Sequence, residues 1–81
     1  MSKLRVLSGA DVLRVLNEFG FQPVAQRGSN IKVRRVLEGG RTQTLTVPNH
    51  REIDRGTLYA IYRQACRFIP ESDLREKFFT G

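Results

Sequence analysis

The 81-residue chain is poor in the residues that stabilise secreted or metal-bound proteins. Its one cysteine, Cys66, cannot form an internal disulfide, and it lacks the neighbouring Cys and His residues of a metal site. Apolar runs are only a few residues long, too short for a transmembrane helix. The first residues, MSKLRVLSGADV, also lack the apolar stretch of a signal peptide. We therefore expect a cytoplasmic protein that does not span a membrane.

Acidic residues are also in short supply. Eight Asp and Glu oppose fourteen Lys and Arg, which leaves a net charge of +6 at neutral pH. The excess is concentrated in residues 27–41, where five cations accompany one anion, Glu38. Such a cluster is typical of a surface that binds a polyanion: nucleic acid, an acidic protein or a membrane surface. A solvated strand face whose arginines serve solubility fits the composition equally well.

The first predicted helix covers residues 9–19, where apolar side chains repeat at helical spacing. Ser8 suits the N-cap, and Asp11 completes a capping box and favours the helix dipole. Gly20 suits a left-handed helix end. The apolar positions are Val12, Val15, Leu16 and Phe19.

Two further helices are predicted in the second half of the chain. One covers about residues 55–67 and begins after Asp54. A short one lies in PESDLREKFF, where Pro70 suits the first turn. The apolar stripes are Leu58, Ile61, Tyr62 and Ala65 in the second helix, and Leu74 and Phe78 in the third.

Alternation of apolar and polar residues predicts three strands between the first two helices. Residues 21–27 contain Pro23, which cannot donate a ladder hydrogen bond and therefore favours an edge position. Residues 29–37 and 42–47 alternate, and the sequence EGGR between them predicts a hairpin turn. The inward residues are Ile31, Val33, Leu45, Val47 and, less clearly, Arg35; the outward ones include Asn30, Lys32, Arg34 and three threonines.

These elements predict one α+β domain over residues 1–81, with the order α-β-β-β-α and a short C-terminal helix. A three-stranded antiparallel sheet would bury one face under the helices and leave the other in water. Lys32 and Arg34 would stand on the open face, where phosphate contacts give salt-dependent binding that tolerates different sequences. Phe21, near this stretch, fits the core better than a platform for stacked bases.

Few residues suggest catalysis. His50 is the only histidine, the residue type that titrates near neutral pH. A lone histidine in a polar loop is more often structural or exposed than catalytic. Gly56 and Thr57, at the start of the second helix, offer backbone amides to a phosphate, although helix capping is the commoner use.

Three segments in order resemble the HicA toxins, small ribonucleases of bacterial and archaeal toxin–antitoxin systems that cleave messenger RNA. They are SGADVLRVLNEFGF, QRGSN and TVPNHREIDRGTLYAIYRQA, within about residues 8–70. The resemblance implies a fold like that of double-stranded-RNA-binding domains. It also implies acid–base cleavage with no metal or other cofactor. The implied partners are mRNA and a HicB-like antitoxin, with no membrane.

The second segment departs from the family after Gly28-Ser29. The resemblance implies that the next position holds the catalytic histidine, and here it holds Asn30. A carboxamide does not titrate near neutral pH, so it cannot act as general base or acid for attack by a 2′-hydroxyl. We therefore expect impaired cleavage, unless His50 substitutes. The expected RNA-binding residues are Arg27, Ser29, Lys32 and Arg34.

Alternatives remain open at this stage. Asn30 fits a natural variant and an introduced replacement equally well. A non-catalytic module of the same fold, binding RNA or an acidic protein, is the second functional reading. A structural domain with charge for solubility is the third, and it predicts no salt-dependent RNA binding.

Overall fold

The computed structural model describes residues 2–81 and has the predicted α+β architecture. The helices are α1 (Gly9–Glu18), α2 (Arg55–Ala65) and α3 (Glu71–Phe78). The strands are β1 (Lys3–Leu4), β2 (Gln22–Arg27), β3 (Asn30–Val36), β4 (Thr42–Pro48) and β5 (Phe79–Thr80). The order α-β-β-β-α with a short C-terminal helix is confirmed, and it is consistent with the double-stranded-RNA-binding-like fold that the resemblance implies.

The main sheet is antiparallel, in the order β2-β3-β4. The β3–β4 hairpin turns through a short 3-10 segment, Glu38–Gly40, where the sequence EGGR predicted it. Strand β2 lies at an edge, as Pro23 predicted, and its pairing shifts between Pro23 and Ala25. Strand β3 is therefore the central strand, fixed from both sides.

A single cluster of buried side chains joins the helices to one face of this sheet. The apolar stripes predicted for α2 and α3 are buried throughout, and Phe21 belongs to the core rather than to a stacking surface. The buried residues are Val12, Leu16, Phe21, Ile31, Val33, Leu45, Val47, Ile53, Leu58, Ile61, Tyr62, Ala65, Ile69, Leu74 and Phe78. The helices cover one face, so the opposite face of the sheet is left open.

The helix ends follow local sequence signals. The Ser8 hydroxyl accepts a hydrogen bond from the Asp11 amide at 3.0 Å, and the Asp11 carboxylate accepts one from the Ser8 amide at 2.9 Å. These bonds lower the pKa of Asp11. Gly20 has a φ of +92° just after α1, as its position predicted. Pro70 precedes α3 as its N-cap instead of lying in its first turn.

The sequence did not predict the pairing of β1 with β5, which joins the two ends of the described chain. Phe79, expected at the end of the third helix, is extended and pairs with Leu4. The amide of Arg5 donates to the Phe78 carbonyl at 2.7 Å and continues the contact. None of the helices in residues 2–81 is long and apolar enough to cross a membrane.

Candidate nucleic-acid interface

A tight turn at Gly28-Ser29 connects β2 to β3. Arg27 and Asn30 are cross-strand partners, so only two residues form the turn. Gly28 has a φ of +60°, in the left-handed region that favours glycine. The Asn49 amide donates to the Ser29 carbonyl at 2.6 Å, which fastens the turn to the chain leaving β4. Asn30 therefore begins β3 in a fixed position.

Strand register places the expected RNA-binding side chains on the open face. Cross-strand partners project to the same side of a sheet, and alternate residues of one strand do too. Arg27 pairs with Asn30, and Lys32 and Arg34 follow at alternate positions of β3. All four are exposed. The structure thus brings three cations and Asn30 to one surface, with Ser29 in the adjoining turn.

This surface, which we call the open sheet face, carries no acidic side chain. By register it consists of Gln22, Ala25, Arg27, Asn30, Lys32, Arg34, Val36, Thr42, Thr44, Thr46 and Pro48. The ion pairs of residues 2–81 involve Arg14, Arg75 and Lys77, none of which lies on this face. Its positive charge is therefore not neutralised locally, which favours a polyanionic ligand.

A shallow cleft of about 460 Å³ opens at one end of this face. Arg27, Asn30, Lys32 and Thr46 line it, together with Ala25 and Gln26 of the edge strand. The cleft brings two charged groups, a carboxamide and a hydroxyl to a common surface. These groups can donate hydrogen bonds to phosphate oxygens and ribose hydroxyls.

The fourth cation of the stretch RGSNIKVRR, Arg35, points the other way. Its guanidinium donates to the carbonyls of Phe19 and Phe68 at 3.0 and 2.8 Å and to the Gln43 side chain. It also lies 4.8 Å from the centre of the Phe21 ring. Arg35 therefore stabilises the junction of α1, the sheet and the chain after α2, and its charge is not offered to a ligand.

His50 lies beside the turn that precedes Asn30. Its Nε2 is 3.3 Å from Ser29 Oγ, within hydrogen-bond distance. The Gly9 amide donates to the His50 carbonyl at 2.8 Å, so the start of α1 supports this loop. Asp54 caps α2 by accepting from the Thr57 amide at 3.1 Å. Hydrogen bonds from Thr57 lower the pKa of Asp54, with a smaller contribution from the charge of His50.

Sequence reasoning named His50 and Ser29 separately and missed that they are neighbours. The signal was in the hairpin: pairing outward from the turn at residues 38–41 places Asn30 opposite Pro48. That register puts the residues just before Asn30 beside those just after Pro48. Gly9 gave no comparable signal, since its role depends on the contact between α1 and this loop.

Two other candidate sites can be assigned. The Thr57 amide is occupied by the Asp54 carboxylate, so capping is its use in this structure. Within residues 2–81, no three His, Cys, Asp or Glu side chains are close enough together to hold a metal ion.

Comparison with known proteins adds one finding. A family model described as the HicA toxin of bacterial toxin–antitoxin systems matches residues 9–65, which are 57 of the 81 residues. The matched range runs from α1 to the end of α2 and contains the whole open sheet face. No curated protein and no solved structure shows significant similarity to the chain.

Proposed function

The chain belongs to the HicA toxin family of bacterial toxin–antitoxin systems, and from this we propose that it binds and cleaves messenger RNA on the open sheet face. Membership of a toxin–antitoxin family implies an antitoxin partner. The observation that carries the RNA assignment is the charge of that face, where Arg27, Lys32 and Arg34 stand without an acid. RNA carries one negative charge per nucleotide and suits such a surface.

Recognition on this face uses the RNA backbone more than the bases. The open sheet face has no aromatic side chain on which a base could stack. It offers instead three cations and the hydroxyls of Thr44 and Thr46, and Ser29 adds another hydroxyl in the turn. These groups suit phosphates and ribose 2′-hydroxyls, which every RNA sequence presents. We therefore expect binding that tolerates different sequences.

Cleavage would occur at Asn30 by transfer of two protons. A base removes the 2′-hydroxyl proton, and the 2′-oxygen attacks the adjacent phosphorus. The bond to the 5′-oxygen breaks, and that oxygen takes a proton from an acid, leaving a cyclic phosphate and a 5′-hydroxyl. Asn30 supplies neither proton transfer, because its carboxamide does not titrate near neutral pH. Its amide can still hydrogen-bond to the phosphate.

His50 is the group that can replace the missing function in part. Its Nε2 lies 3.3 Å from Ser29 Oγ, next to the turn that positions Asn30. One imidazole supplies one of the two proton transfers at a time, so the activity of the chain as written is low. Catalysis by His50 would also require the substrate phosphate to sit toward Ser29.

The partner that fits this surface is a HicB-like antitoxin that covers the open sheet face. Val36 belongs to this face with 67% of its surface exposed, and Val24 is exposed on the edge strand. Apolar side chains beside cations give a protein partner surface to bury in addition to charge. An antitoxin placed there would compete directly with RNA.

The experiment that tests the function is Asn30→His, with Asn30→Gln as a control that keeps a carboxamide. Cleavage of a labelled mRNA should rise about 10²–10⁴-fold in Asn30→His, the usual contribution of a general acid or base, with EDTA present. Growth inhibition on expression should appear with it. RNA affinity should change little, because the phosphate contacts come from other residues.

Two outcomes would change the assignment. If Asn30→His cleaves no faster, while the starting protein is active and loses activity in His50→Ala, the catalytic role belongs to His50. If neither variant cleaves RNA under conditions in which another HicA toxin does, the chain is a binding module without chemistry. The carboxamide at position 30 is the observation that favours this second function.

A further inference from the structure

The outer side of α2 carries a second set of cations, away from the open sheet face. Arg55, Tyr59 and Arg63 lie four residues apart, and Arg67 follows at the same interval in the turn after the helix. Residues at this interval are neighbours on a helix surface. We call these four residues the α2 stripe. They lie opposite the buried positions by which the same helix packs on the sheet.

The arginines of the α2 stripe are not neutralised within the described chain. All three are exposed, and none takes part in the ion pairs of residues 2–81. Arg63 and Arg67 share a shallow depression of about 380 Å³ with Ala60 and Gln64. A second depression, of about 400 Å³, adds Lys3 to Arg55 and Tyr59. Neither depression has an acidic side chain in its lining.

Tyr59 supplies what the open sheet face lacks, an exposed aromatic ring. It is 47% exposed, and its ring lies 6.2 Å from that of Tyr62, inclined by 25°. Tyr62 is itself buried and donates its hydroxyl to Glu71 at 2.8 Å, so Tyr59 rests on a fixed support. A supported aromatic ring among arginines is typical of surfaces that bind single-stranded nucleic acid.

We propose that the α2 stripe is a second RNA-binding surface, which holds single-stranded RNA by its phosphates and by one base stacked on Tyr59. The choice of RNA as the polyanion rests on the proposed function. Successive arginines rise about 6 Å along the helix, a spacing that suits neighbouring phosphates of one strand. An acidic protein would satisfy the charge of the stripe but would not use the supported ring of Tyr59.

Two surfaces on opposite sides of the molecule bind a long RNA more tightly than either does alone. The described chain is 17 Å across along its shortest axis, so a flexible strand can pass from one surface to the other. Once RNA is held at one surface, its local concentration at the other is raised. The α2 stripe would therefore select long, unpaired RNA for the cleavage site.

The experiment compares the binding of a single-stranded RNA of about 30 nucleotides by three double variants, long enough to reach both surfaces. Arg63→Ala/Arg67→Ala removes two stripe cations, and Lys32→Ala/Arg34→Ala removes two from the open sheet face. Arg14→Ala/Arg75→Ala removes the same charge from ion-paired positions and is the matched control. Thermal unfolding of each variant shows that it is folded.

The stripe variant should bind about tenfold more weakly than the control. The slope of log affinity against log salt should fall by about 1.4, near 0.7 for each lost contact to a single strand. Tyr59→Ala should lose affinity by a similar factor, whereas Tyr59→Phe, which keeps the ring, should bind normally. Ultraviolet cross-linking of bromouridine-containing RNA should also label the peptide that contains Tyr59.

The result that overturns the α2 stripe is affinity and slope equal to those of the control, as expected if the stripe binds an acidic protein. If only Lys32→Ala/Arg34→Ala then weakens binding, the proposed function stands without the stripe. If only the stripe variants weaken binding, the stripe is an RNA site and the open sheet face is not. The failures of the two proposals are thus distinguishable.

Discussion

At the scale of single residues, the site depends on a close approach at Gly9. The first residue of α1 lies against the loop that carries His50, and its amide donates to the His50 carbonyl. A Cβ on Gly9 would meet the Pro48 carbonyl oxygen and would lie 2.8 Å from the Asn49 Cα. Both are backbone atoms and cannot turn aside as a flexible side chain would. Glycine is therefore required here for packing.

We predict that Gly9→Ala destabilises the protein, although Gly→Ala in a helix is ordinarily stabilising. The free energy of unfolding, measured with urea, should fall by about 1–3 kcal/mol, the usual cost of overpacking. Gly56→Ala is the matched control in the first turn of α2, where the nearest atom would be a carboxylate oxygen at 3.6 Å. A Gly9→Ala protein as stable as Gly56→Ala would show that α1 does not support the loop so closely.

At the scale of elements, α2 is the helix on which the sheet is held. Leu58 is 1% exposed and belongs to the same buried cluster as Ile31, Val33 and Leu45 of the two central strands. The inner face of the sheet is fixed by this packing. The outer face inherits its geometry, because the direction of each strand residue is set by its neighbours.

Leu58→Ala should lower the free energy of unfolding by about 2–5 kcal/mol, the range for a buried leucine. In a protein this small, that loss is a large part of the total stability and can unfold it. Gln64→Ala, at an exposed position of the same helix, should change stability by less than about half a kcal/mol. A loss that small for Leu58→Ala would mean that this face of α2 is not packed.

The elements that sequence alone predicted are those with local signals. Helix α1 has a capping box at one end and a glycine at the other, and β3 and β4 have clear alternation around a Gly-Gly turn. The β1–β5 pair was missed because two residues have no period and the pairing joins distant parts of the chain. The Ser29–His50 contact was likewise non-local, across 21 positions of sequence.

At the scale of the whole molecule, one layer of helices on one side of the sheet decides where charge is displayed. The net charge of +6 is offered on two surfaces, the open sheet face and the α2 stripe, while Arg35 is used inside the structure. The sheet holds its cations on a central strand paired on both sides, so little ordering is required when a ligand binds.

The most direct test of the central claim is the salt dependence of mRNA binding by Lys32→Ala/Arg34→Ala. The variant should bind more weakly across sequences, and the slope of log affinity against log salt should flatten by about two, near one for each lost phosphate contact. Arg14→Ala/Arg75→Ala, with the same net charge, should keep the original slope. A slope in Lys32→Ala/Arg34→Ala equal to that of the unmodified protein would contradict the assignment of the open sheet face to RNA.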